Sequence, residues 1–259
     1  MIYADKTSPD LGSLAPDTVV VLPLASVEQH GAHLPVITDT ALVSEVARRA
    51  EQVLTKDILL LPTLWVGSSH HHRNFPGTIS LRSSTYIDVL CEMVECLLRS
   101  GFRRIMLLNG HGGNITPINE ALYRLMLNCQ EKVLPWVVSA SYWNMPEKQD
   151  YSDFMQSPKL THACEYETSM MLSLRVDWVK MGEAKGERTL RKSKFYDPLG
   201  YTPSRVSVSE SFEQMTKIGA MGNPEKAEPE KGDRLFQIYS SALIEFLREF
   251  SRWELRKNK

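Results

Sequence analysis

With 259 residues and a net charge of −1, the chain makes no electrostatic case for nucleic acid or an anionic membrane as a partner. Hydrophobic residues at 42% and charged residues at 24% are ordinary for a globular protein, and no apolar run approaches the ~18 residues of a membrane span. The polar start lacks an apolar h-region, and Cys91, Cys96, Cys129 and Cys164 form no C-x-x-C pair, which predicts a cytoplasmic protein with reduced thiols.

Thr18–Leu24 is a β-branched apolar run and predicts a buried strand. From Thr40 to Val53, apolar residues recur near helical spacing. Ile58–Leu64 is a second apolar run, interrupted by Pro62. A loop, GSSHHHRNFPGTISL (67–81), precedes a predicted helix from about Thr85 to Arg99, with Gly101 as its stop signal. Ile105–Leu108 predicts a third strand, Pro117 to about Cys129 a helix, and Val133–Ala140 a fourth strand. His162–Leu174 has a helical period, 179–230 is irregular, and Leu235–Phe250 predicts a final amphipathic helix. The alternation predicts an α/β fold, a single domain over 1–259 with a central, mainly parallel sheet flanked by helices.

Three clusters carry chemistry. The first is VVVLPLASVEQHGAHLPVITDT (19–40), where Glu28, His30, His33 and Asp39 follow a strand directly. Glu28 and His30 are two apart, so on extended backbone they point to one side. Carboxylates and imidazoles suit Zn²⁺, Mn²⁺ or Fe²⁺, and open α/β sheets bind ligands beyond strand ends. Asp39 also suits a helix N-cap. The second cluster is NGHGGN (109–114), which places His111 just past a strand, beside glycines that admit close approach. It is neither a G-x-G-x-x-G fingerprint nor a P-loop. The third is HACEYETS (162–169). If it opens a helix, His162 and Glu165 share a face and Glu167 points elsewhere. Of His70, His71 and His72, one is expected to reach the pocket, His72 being the best placed.

These stretches, with FPGTISL (75–81), SYWN (141–144) and EKG (230–232), resemble the creatininase (creatinine amidohydrolase) family, in the family's order. The resemblance implies two divalent metals, of Zn, Mn or Fe type, in an α/β fold that often assembles as a homo-oligomer, a hexamer built as a trimer of dimers. It implies Glu28 and His111 on one metal, His30 on the other and Asp39 bridging. His162 matches the histidine that transfers protons, with Glu167 in support. Trp143 matches an aromatic residue that packs on substrate, and His72 and Gly112 are further substrate-side candidates. Creatininase proper has Glu two residues after the position of His111; here that residue is Gly113, so Glu165 is expected to replace the missing carboxylate. The Trp-Asp pair that precedes the family histidine falls on Pro158 and Lys159, which predicts a small-molecule substrate other than creatinine. The expected reaction is hydrolysis of a C–N bond in a small, cyclic or formyl amide by a hydroxide between two metals. A metal-stabilised scaffold, a peptidase and a ring-opening hydrolase are the alternatives.

Overall fold

The computed structural model describes residues 1–147, 151–187, 193–197 and 204–257. Four strands build the main sheet: β1 (Val19–Leu24), β2 (Ile58–Leu60), β3 (Arg104–Asn109) and, after a short β4 (Val133–Leu134), β5 (Trp136–Ser141). Their order is β2-β1-β3-β5, all parallel, with Val19 opposite both Ile58 and Arg104, and Arg104 opposite Trp136. All six residues of β1 and of β3 are buried, as expected for central strands of a parallel sheet covered on both faces.

The helices are α1 (Ser8–Leu14), α2 (Thr38–Val53), α3 (Ser83–Arg99), α4 (Ile115–Leu127), α5 (Glu165–Arg175), α6 (Phe212–Met215) and α7 (Pro229–Phe250). Alternation along each strand divides the core. Val19, Val21, Met106 and Leu108 pack with Leu42, Val46, Met170, Leu235 and Tyr239, from α2, α5 and α7. Val20, Leu22, Ile105 and Leu107 pack with Tyr86, Leu90, Val94 and Ile118, from α3 and α4. Among the described residues no helix is long and apolar enough to cross a membrane.

Several boundaries differ from the sequence expectation; the final helix, for one, begins at Pro229 rather than Leu235. The run Val133–Ala140 splits at Pro135: β4 pairs antiparallel with β6 (Arg256–Lys257), while β5 joins the main sheet. Proline has no N–H to donate to a ladder, so the strand breaks there. The run from Ile58 leaves regular pairing after Leu60, ahead of Pro62, though Leu61 N–H and Leu64 N–H still donate to Val21 and Pro23 carbonyls. α2 starts at Thr38, which puts Asp39 inside the first turn rather than at the cap, and no side chain caps that end. α5 starts at Glu165, three residues later than expected, because Ala163 takes a left-handed conformation (φ 49°) just before it.

Candidate metal centre

The centre lies at the carboxyl ends of β1 and β3, the two middle strands, where a parallel sheet leaves a crevice between diverging loops. After Leu24 the chain runs through Ser26, Glu28 and His30 and turns back at Gly31 (φ 67°). Val36 carbonyl accepts the Glu28 N–H, which ties the loop into a bend and delivers the chain to α2. After β3, Asn109 Oδ1 accepts the His111 N–H at 3.1 Å and sets His111 facing that loop. Glu28, His30, Asp39 and His111 are all buried.

Hydrogen bonds to backbone carbonyls decide which ring nitrogen of each histidine faces inward. His30 donates Nδ1–H to the Glu28 carbonyl (3.1 Å), which leaves Nε2 at 3.1 Å from Asp39 Oδ1. His111 Nε2 stands 3.3 Å from the Ser68 carbonyl, which can only accept, and 3.2 Å from Ser69 Oγ, which can do either, so a proton on Nε2 satisfies the carbonyl. Its Nδ1 then stands 2.9 Å from Asp39 Oδ2. His162 donates Nε2–H to the Gln29 carbonyl (2.8 Å) and turns Nδ1 to within 3.6 Å of Glu28 Oε1. An imidazole anchored through one nitrogen to a carbonyl presents a lone pair on the other, the usual disposition of a metal-ligating histidine.

Lone pairs facing carboxylate oxygens at these distances call for a cation between them. Both Glu28 oxygens are buried without a hydrogen-bond partner. Ligand atoms of Glu28, His30 and Asp39 lie within 4.8 Å of one another, as do those of His30, His162 and Glu167. These donors fit divalent metal ions, with one Asp39 oxygen toward His30 and the other toward His111.

Without ions, protons take up the charge. Burial pushes the Glu28 carboxyl up to about 7 against the pull of His111, and the Glu167 carboxyl to about 7 against that of His30. Burial opposes a charge on His30, but Asp39 beside it overrides this and brings the ring to about 10. His111 rises to about 9, because Glu28 and Asp39 outweigh its burial. Burial works against the Asp39 carboxylate too, yet His30 and His111 hold its carboxyl well below the usual range. His162 is driven well below an ordinary imidazole by burial and by His30.

Glu165, the carboxylate expected on α5, has other partners. Glu165 accepts N–H bonds from Gln156 (3.0 Å) and Ser157 (2.7 Å) and pairs with the buried Lys231 ammonium at 3.0 Å. It clamps α5 to α7 and belongs to none of the ligand clusters that the imidazoles form. Glu167, in the capping box with Cys164, points into the cluster instead. The reason is the helix start: His162 lies outside α5, so the shared-face argument for His162 and Glu165 does not apply. His72 is buried, with Nε2 at 3.3 Å from Glu28 Oε1. Gly112 is exposed, and a Cβ there would meet nothing within 4 Å. Trp143 packs edge-on against Tyr142 and borders a cleft with Tyr151, Lys159 and Tyr239.

Several contributors are not among the residues that the sequence singles out. Gln29 Nε2–H donates to His72 Nδ1 at 2.8 Å, while its Oε1 accepts the Gly31 N–H. Ser26 Oγ–H donates to Asp39 Oδ2 at 2.7 Å. Phe212, from the irregular region, covers His72 and His162 with ring centroids 4.0 and 4.6 Å away. Residues 188–192 and 198–203 of that region lie outside the described residues. His71 also reaches the centre, beside His111.

The sequence model for the creatininase family, described as creatinine amidohydrolase, matches residues 4–247. The chain belongs to the creatininase family. It is 27% identical to a mycofactocin precursor peptide peptidase of Mycolicibacterium smegmatis, over 98% of this chain and 92% of that protein. It is 26% identical to creatinine amidohydrolase of Pseudomonas putida, over 91% and 90% of the two chains. A crystal structure of creatinine amidohydrolase (creatininase) superposes with a TM-score of 0.77 at 25% identity, covering 96% of this chain and 97% of that one. The chain is thus a creatininase-type hydrolase, and its α/β architecture is that of the family.

Proposed function

We propose that this creatininase-family chain acts as one domain that hydrolyses a C–N bond in a small amide at a centre of two divalent ions. Glu28 and His111 would hold one ion, His30 and Glu167 the other, and Asp39 both. The observation that carries the reading is Asp39, whose two oxygens stand 3.1 Å from His30 Nε2 and 2.9 Å from His111 Nδ1, beside a Glu28 carboxylate with no hydrogen-bond partner. Zn, Mn and Fe all suit such ligands. Ions bound there supply Lewis acidity and make water nucleophilic near neutral pH.

The chain's own groups do the rest. His162, neutral and fixed by its bond to the Gln29 carbonyl, directs Nδ1 into the cluster, where it can take a proton from water and return it to the departing nitrogen. Phe212 over His72 and His162 shields that proton transfer from bulk water. Open space at Gly112 leaves a path for substrate beside His111. With Pro158 and Lys159 in place of a Trp-Asp pair, the polar contacts that would select creatinine are absent, so another amide is proposed. The 27% identity with a peptide peptidase over nearly the whole chain supports a second reading, a short peptide as substrate.

The test is hydrolysis of formyl amides, cyclic amides and short peptides by chelated protein reloaded with zinc or manganese. Turnover should vanish on chelation and return on reloading. Equal turnover with and without metal would refute the reading, and tight metal retention with no turnover on any amide would favour a scaffold.

A further inference from the structure

His70–His72 form a 3-10 turn, in which successive side chains stand ~120° apart. Two neighbouring rings can therefore reach one centre from different directions. His72 faces Glu28 and Gln29, whereas His71 lies along His111, the rings 5.6 Å apart at their centroids and 17° from parallel. A ring nitrogen of His71 lies within 4.8 Å of ligand atoms of both Glu28 and His111. Independently, a Cβ added at Gly113 would stand 2.6 Å from His71 Cε1, 2.5 Å from His111 Nε2 and 2.3 Å from the Ser68 carbonyl. A side chain at 113 would therefore crowd the His71 and His111 rings together with the Ser68 carbonyl.

We propose that His71 is a ligand to the ion held by Glu28 and His111. This rests on the two-ion reading above. His71 would add a neutral nitrogen donor to that ion. Such a ligand set favours zinc over manganese more strongly than a carboxylate-rich one.

The experiment compares the parent with His71→Ala and Gly113→Ala, each stripped and reloaded with zinc. Competition against a chromophoric chelator should show one of two zinc ions weakened about ten-fold or more in both variants, the other unchanged. X-ray absorption should count one imidazole fewer per two zinc ions in His71→Ala. Metal-free melting curves matching the parent's would show that each variant is folded, and His71→Asn serves if His71→Ala is not. Parental affinity and imidazole count in folded His71→Ala would overturn the proposal, even if KM rises. The parent's own stoichiometry separates the two readings: fewer than two zinc ions in the parent would end the two-ion reading and this proposal with it, whereas two ions in the parent and in folded His71→Ala, both at parental affinity, would overturn this proposal alone.

Discussion

Glu165 and Glu167 stand two residues apart at the start of α5 and serve opposite purposes. Glu165 is the buried partner of Lys231, and removing one member of such a pair leaves an uncompensated charge. Glu165→Ala is therefore expected to lower stability by about 3–5 kcal/mol in denaturant melts while zinc stoichiometry holds. Glu167→Gln should do the reverse, losing zinc with little change in the melt of the metal-free protein. His162→Ala should keep its metal and lose 10²–10⁴-fold or so in kcat, the usual range for a proton-transfer group. His33 gives a pH test. Burial, with His30 nearby, pushes its imidazole from 6.5 down to about 4, and its Nε2 bonds Thr168 Oγ1. Below 6.5 the unfolded chain takes up a proton that the folded chain refuses until about 4, so this contribution to stability is present above 6.5 and lost as pH falls toward 4. Denaturant melts at pH 7 and pH 5 should differ less in His33→Gln than in the parent.

At the scale of elements, small shifts in where a helix begins decide which side chains meet. Asp39 reads equally well as an N-cap or as a ligand in sequence; because α2 begins one residue before it, its carboxylate is free to lie between two imidazoles. Ala163 has the same kind of effect before α5. Its φ of 49° turns His162 toward the Gln29 carbonyl and Glu167 toward His30. A β-branched side chain is a strong outlier in that conformation. Ala163→Val is thus expected to lower the melting temperature and reduce kcat, and an unchanged melt would show that the turn does not need the left-handed backbone. The Gly101 stop signal, by contrast, was readable: α3 ends at Arg99, Gly101 takes φ 93° and the next N–H donates to the Leu97 carbonyl.

Over the whole molecule, the centre joins residues 26–39, 68–72, 111, 162–168 and 212 at one end of a sheet whose two apolar layers lie behind it. Those layers are built from strand and helix side chains, not from the ligands. Chelation should therefore lower the melting temperature, by loss of binding to the folded state alone, while the far-ultraviolet circular dichroism stays unchanged. Collapse of the dichroism on chelation would mean that the ions organise the fold itself.

Alternating strand-like and helix-like periods suffice to read a parallel α/β sheet from this sequence, since burial on two faces writes itself as continuous apolar runs. The same linear record marks Glu28, His30, Asp39 and His111, because each follows the end of a strand or opens the helix after it. It does not choose between Glu165 and Glu167, foresee His71 beside His72, or bring Phe212 over the imidazoles. Each of those depends on a side chain's direction, which turns by about 100° per residue in a helix and 120° in a 3-10 turn. Only the packed structure decides where such a turn begins and which distant segment stands opposite it.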